Sequence, residues 1–328
     1  MHARIFSKKE YMIPSRTFLT GLLPALFLFI FISSFRRGTD EKSEKISLGR
    51  QLFFDPILSS DSSVSCGSCH KPELYFADSV AFSRGVGKGR ARRNTPSVLN
   101  MASREFMFWD GRAVSLEHQT LFPVQDPNEM NLPVSEAVRR LRASEKYQVL
   151  FQKIYGKTAD EPALREVLAA FETSLETSGS KFDLAMNGKG SLSADEKAGQ
   201  KIFVGKGKCF DCHFGQDFTG DEFRNIGLYD GKKWSDAGRF EVTKDSADIG
   251  KFKVPGLRNV AMTAPYMHNG AFRSLREVID FYVEPQKFVP SAIGTDSIVK
   301  GGISLSEKEK QQLEAFMQTL TSPPLLMK

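Results

Sequence analysis

Apolar positions recur at helical spacing in several stretches of this chain and run unbroken in one. Residues 161–175 (EPALREVLAAFETSL) place Leu164, Val167, Leu168, Phe171 and Leu175 on one face, the period of an amphipathic helix. Ser306 and Glu309 form a capping box ahead of Leu313, Phe316, Met317 and Leu320. Ser193 and Glu196 form another, opening a helix that carries Gly199-x-x-Ile202-Phe203. The same arrangement, Gly49-x-x-Leu52-Phe53, stands in a short helical pattern near the other end, so the chain reads as duplicated. Gly and Ser collect from about Ser178 to Lys189, the expected linker.

The unbroken apolar run lies between Phe18 and Ile32, after a stretch carrying Arg4, Lys8, Lys9 and Arg16. A basic region followed by an apolar one is the pattern of a Sec export signal. The run is short for a membrane-spanning helix, which needs about 20 apolar residues. It lacks a clean small-x-small cleavage site, and Arg36 and Arg37 follow it directly. Residues 1–38 are therefore either a cleaved signal peptide or a retained N-terminal membrane anchor. The expected location is the periplasm, with attachment to the inner membrane in the second case.

The length of 328 residues suits two domains of ordinary size behind such a leader, here 39–177 and 178–328. With 41% hydrophobic and 26% charged residues, the chain has the composition of a soluble globular protein. The leader carries six basic residues and one acid, which accounts for five of the six net positive charges. The basic isoelectric point thus gives no ground for a nucleic-acid partner.

The four cysteines, Cys66, Cys69, Cys209 and Cys212, fall in CGSCH (66–70) and CFDCH (209–213). An exported chain could join four cysteines in two disulfides, and Cys-x-x-Cys also serves redox dithiols and zinc sites. The histidine directly after each pair selects a third chemistry. In C-x-x-C-H the thiols form thioethers to the haem vinyl groups, and the imidazole is placed under the iron. Two motifs with no cysteine left over predict two covalently bound haem c groups, with His70 and His213 as proximal ligands. The 27 phenylalanines suit burial around large flat cofactors. Small c-type cytochromes close by packing the helix before the haem motif on the helix that ends the domain. The expected fold is mainly α: two tandem cytochrome c-type domains with long haem-wrapping loops.

Further motifs are more specific. LGRQLFFDPILS precedes the first haem motif; RRNTPSVLN, FMFWDGRAVSLEHQ and FPVQDPNEM follow it; KVPGLRNVAMTAPYMHNG and SLREVIDFY stand in the second half. On these the chain resembles the bacterial dihaem cytochrome c peroxidases, including the branch of MauG, over about residues 44–322. The resemblance implies that the His70 haem binds hydrogen peroxide and the His213 haem transfers electrons or stores charge. It implies that Glu129 is the distal acid–base carboxylate, Gln119 the distal glutamine and Trp109 the tryptophan between the haems. It also implies a calcium ion held by Asn94 and the carbonyls of Thr263 and Pro265.

The residue types suit these roles. A haem that binds peroxide needs an empty sixth position and a group that moves a proton between the peroxide oxygens. A buried carboxylate does this if its pKa stays near working pH. Calcium takes oxygen ligands, backbone carbonyls among them. Each residue also has a plainer reading: Glu129 as a solvated loop acid, Trp109 as core packing, Asn94 as a turn residue.

Two departures from the peroxidase pattern stand out. Many members carry a histidine between the first haem motif and the RNTP segment, which caps the peroxidatic iron at rest. The matching position here is Val86, and no histidine occurs from Lys71 to Glu117. The first haem is expected to be open without prior reduction. Second, the position twelve residues after Gly270 is Tyr282. The resemblance puts an axial methionine there in the electron-accepting peroxidases and a tyrosine in MauG. The alternative is a core tyrosine with Met267 or Met262 as ligand. Of the remaining histidines, His268 is expected to bond a propionate or serve structure, and His118 to be peripheral.

The function expected is a dihaem peroxidase that reduces hydrogen peroxide, or uses it to oxidise a protein partner. Its electron donor would be a small periplasmic monohaem cytochrome c or cupredoxin. A homodimer is compatible with this reading. The alternatives are a dihaem electron carrier without peroxidase activity and a haem-based sensor.

Overall fold

The computed structural model describes residues 40–325. The leader, residues 1–38, lies outside the described residues. Of the described residues, 44–325 gather into one compact unit. It is mainly helical, and its named sheet is a two-stranded one, Phe223–Arg224 paired antiparallel with Phe252–Lys253. Among the described residues no helix is long and apolar enough to cross a membrane.

Two helix crossings built alike organise the unit. Helix 40–54 meets the Glu161–Thr173 helix at Gly49, where an added Cβ would lie 1.8 Å from the Val167 carbonyl oxygen. The Ala194–Val204 helix meets the Glu307–Gln318 helix at Gly199, where a Cβ would lie 1.9 Å from the Gln312 carbonyl oxygen. Each glycine lets two backbones touch, and the Leu-Phe or Ile-Phe pair that follows is buried in the seam. Both expected capping boxes, Ser193 with Glu196 and Ser306 with Glu309, are formed.

Apolar clusters fall on either side of these crossings. One centres on Leu52, Leu121, Leu141, Phe151 and Leu168, another on Phe203, Ile279, Leu313 and Phe316. The stretch expected as a plain linker is partly ordered as the Lys181–Met186 helix, with Ser180 and Asp183 forming its capping box. Phe182 sets its ring edge-on to Phe218 and Phe316, and Asp183 pairs with Arg258. The small residues suggested a loop, but one aromatic and one acid with fixed partners tie the segment down.

Buried polar groups join the earlier and later parts of the unit. The Asn100 side chain bonds Thr177, Asn259 donates to the same Thr177 hydroxyl, and Ser322 N–H donates to Asn259. Asn94 N–H donates to the His268 carbonyl at 2.7 Å, and Lys253 N–H to the Trp109 carbonyl at 2.7 Å. Arg93 is held by Asp110 and Asp236, and Arg104 by Asp217.

Candidate active site: two cavities sharing one wall

Cys66, Cys69 and His70 line one cavity; Cys209, Cys212 and His213 line the other. All four thiols are free. Burial pushes the Cys69 and Cys212 thiols up to about 11 and Cys209 up to about 12, and raises Cys66 further. They are therefore protonated at neutral pH, unlike the low-pKa cysteines of redox dithiols. The short Cys66–Cys69 helix and the Cys209–Asp211 turn bring each pair to one wall beside its histidine.

Each imidazole is oriented from behind by backbone. His70 Nδ1 lies 3.0 Å from the Phe76 carbonyl oxygen, and His213 Nδ1 lies 3.0 Å from that of Phe218 and 3.1 Å from that of Pro255. Such bonds fix Nδ1 as the donor and leave Nε2 as a free lone pair. Burial lowers both pKa values, which favours the neutral, ligating form. Tyr75 and Phe76, both left-handed at φ 52° and 59°, turn the chain so that the Phe76 carbonyl reaches His70. Free thiols beside an imidazole tied at Nδ1, in two apolar cavities, fit two covalently bound haem groups.

The first cavity also receives Glu129 and Gln119. Burial, helped by Asp126 and opposed by Arg112, raises the Glu129 carboxyl to about 7. This is no solvated loop acid. Gln119, at the end of the Leu116–Gln119 helix, has a buried Oε1 without a hydrogen-bond partner among the described residues. A buried acceptor left open costs free energy unless a ligand or water fills it. Arg112 stacks 3.5 Å over the Phe108 ring and pairs with Asp110. The turn at 85–89 packs directly on the Glu129 segment: Val86 N–H donates to the Glu129 carbonyl at 2.8 Å, and a Cβ on Gly85 would lie 2.1 Å from the Asn128 oxygen. Val86 itself is buried.

Tyr282 lies near the end of the Leu275–Val283 helix, on the wall of the second cavity with His213. Burial drives its phenol well above the ordinary range. Met267 lines the same cavity, whereas Met262 is 44% exposed and lies off its wall. His268 is buried and stacked on Phe252 at 3.6 Å, with burial lowering its pKa to about 4. His118 is exposed, edge-on to Phe122.

Trp109 lines both cavities, together with Asn94, Thr95, Pro96, Met101 and Phe108. Its indole N–H donates to the Asn94 carbonyl at 2.8 Å. Thr263 and Pro265 line the second cavity beside Asn94, whose amide faces the Val80 and Ala81 carbonyls at 3.2 and 3.4 Å. Those two carbonyls went unnoticed in the sequence, which does not encode a backbone oxygen's direction. No cluster of three or more His, Cys, Asp or Glu side chains is set to hold a metal ion among the described residues.

One acid was missed. Glu172 is 6% exposed on the wall of the first cavity, and burial raises it to about 8. Its spacing from Leu164 and Leu168, four residues apart each, was the available signal: it continues the buried stripe of the helix.

Comparison with known proteins agrees with this geometry. Residues 43–191 match the family described as di-haem cytochrome c peroxidase. The methylamine utilization protein MauG of Methylorubrum extorquens is 38% identical over 288 residues, 86% of this chain and 79% of that one. The cytochrome c551 peroxidase of Nitrosomonas europaea is 32% identical, over 88% of this chain and 84% of its own. Among solved structures, a MauG-like protein associated with microbial copper homeostasis superposes with a TM-score of 0.78 at 32% identity, covering 85% of this chain and 89% of that one.

Proposed function

We propose, for a chain that belongs to the di-haem cytochrome c peroxidase family, that hydrogen peroxide is cleaved in the His70 cavity with Glu129 as its acid–base group. The chain is a dihaem peroxidase with two covalently bound haem c groups, and its partners are hydrogen peroxide and a protein or cytochrome. The haems supply a coordination position for peroxide and the electrons that part its two oxygens.

The observation that carries the reading is the Glu129 carboxyl, held at about 7 on the wall of the cavity that contains His70. As carboxylate, Glu129 takes the proton of the inner oxygen; as acid, it returns that proton to the outer one, which leaves as water. The open Oε1 of Gln119 accepts a hydrogen bond from peroxide or from a water beside it. Trp109, lining both cavities, shortens the electron path between them. Cys66 and Cys69 hold one haem, and Cys209 and Cys212 the other, with His70 and His213 as iron ligands.

Tyr282 would supply a further ligand to the second iron. A phenol held protonated by burial loses its proton only to a strong Lewis acid, so its binding selects ferric iron. With no histidine between Lys71 and Glu117, and the Val86 turn fixed on Glu129, the first iron would stay open at rest. These features favour the MauG-like mode, in which oxidising equivalents pass to a protein partner. A monohaem cytochrome or cupredoxin remains the donor in the peroxide-reducing mode. Asn94 and the carbonyls of Thr263 and Pro265 would hold calcium. Residues 39–177 and 178–328 are the two cytochrome domains, delivered to the periplasm by the leader, with an inner-membrane anchor if the leader is retained. A homodimer is compatible with this arrangement.

The test is rapid mixing of the fully ferric protein with peroxide. A direct spectral change with no reductant present is the expected result. A protein inert until half-reduced would return the chain to the reductively activated peroxidases.

A further inference from the structure

We propose that Glu172, a carboxyl set into the wall of the first cavity with no cation paired to it among the described residues, is a redox-linked proton site. It releases its proton when the haem held by Cys66, Cys69 and His70 loses an electron and recovers it when the electron returns. The inference rests on that cavity holding a haem, and goes beyond the role given to Glu129.

The geometry is that of an acid placed where structure gains nothing from it. Glu172 projects from the Glu161–Thr173 helix into an apolar wall and is 6% exposed. Among the described residues its carboxyl forms no hydrogen bond or ion pair, although three of the cavity's arginines find carboxylate partners: Arg93 goes to Asp110 and Asp236, Arg92 to Glu241, and Arg112 to Asp110. The remaining charged or titratable groups on the cavity wall are Cys66, Cys69 and His70 from one segment, Arg84 from the next, and Asp126 and Glu129 from the segment after the Leu116–Gln119 helix. Burial alone raises Glu172 to about 8, so it is protonated at neutral pH, and a charge on it is felt at the Cys66 thiol.

An uncompensated buried acid responds to any new charge nearby. Removing an electron from the adjacent haem adds one positive charge, which favours the carboxylate. One O–H bond of Glu172 breaks, the proton leaves for solvent, and the cavity keeps its net charge. Reduction runs the reverse. The oxidant is peroxide in turnover, or an electrode in the test. The pKa of Glu172 is thus lower in the oxidised than in the reduced protein. By linkage, the midpoint potential of that haem falls as pH rises between the two values.

The experiment is potentiometric titration of the dihaem protein across pH, in wild type, Glu172→Gln and Glu129→Gln. The neutral glutamine mimics the protonated acid, so resting spectra should be unchanged. The part of the first haem's pH slope that lies above the range of Glu129 should be lost in Glu172→Gln and kept in Glu129→Gln. That part of the slope retained in Glu172→Gln, or lost only in Glu129→Gln, overturns the inference and leaves the acid–base reading of Glu129 standing. A second measurement does not depend on the Glu172 substitution. In Glu129→Gln protein labelled with carbon-13 glutamate, the infrared difference between oxidised and reduced states should contain a protonated-carboxyl signal shifted by the label. Its absence overturns the inference as well.

Discussion

At the scale of single residues, the role proposed for Glu129 predicts the pH dependence of the reaction. The first proton transfer needs the carboxylate, and the carboxyl is held at about 7. Peroxide turnover should therefore rise with pH through about 7 and be lost as pH falls below it. Glu129→Gln should leave both haem spectra nearly intact, flatten this limb and slow turnover by about 10²-fold or more. Steady-state rates across pH for the two proteins check it; unchanged turnover would move the role to Gln119 and a water. Tyr282 gives the second prediction at this scale. A tyrosinate stabilises ferric iron better than a neutral ligand does, so Tyr282→Met should raise the second haem's midpoint potential while both haems stay attached. The visible and electron paramagnetic resonance spectra of Tyr282→Phe provide the check, and an unaltered second haem would remove Tyr282 from the iron.

Among the elements, the two glycine crossings let paired helix backbones touch. Alanine would favour each helix by about 1 kcal/mol through propensity. At Gly199 the added Cβ meets the Gln312 backbone at 1.9 Å, so the helices must part. Overpacking of this kind costs about 1–3 kcal/mol, and backbone that cannot rotate away puts it at the upper end. Gly199→Ala should lower the thermal midpoint by a few degrees, as should Gly49→Ala. Gly301→Ala is the control, because a Cβ there meets nothing within 4 Å. Equal midpoints for Gly199→Ala and Gly301→Ala would show the crossing to be looser than described. The Lys181–Met186 helix teaches the converse lesson. Its composition suggested a linker, yet contacts of Phe182 and Asp183 with distant residues made it an anchored element.

For the whole molecule, the decisive feature is that the two cavities share a wall. Asn94, Trp109 and their neighbours face both, Thr263 and Pro265 line the second, and the Asn94 amide donates to the Val80 and Ala81 carbonyls. Calcium held by Asn94 with the Thr263 and Pro265 carbonyls would sit against a residue that lines both cavities. Exhaustive chelation should therefore perturb the spectra of both haems at once and slow peroxide turnover, with recovery on adding calcium. A change confined to one haem, or none, would place any bound calcium away from this wall.

The sequence by itself determined the chemistry of attachment and the duplicated helices. C-x-x-C-H is a local motif whose five residues carry their meaning without the rest of the chain, and helical spacing with capping boxes is equally local. It also determined what is missing, since the lack of a histidine between Lys71 and Glu117 is a fact of composition. The tertiary structure alone decided which acids are buried. Glu129 and Glu172 look no different in sequence from surface glutamates, and desolvation, the largest cause of both shifts, is a property of everything packed around them. It decided, too, that Met262 faces outward while Tyr282 faces the second cavity, and that Trp109 belongs to both cavities. Those facts depend on residues more than a hundred positions apart coming together, which no local pattern of side chains records.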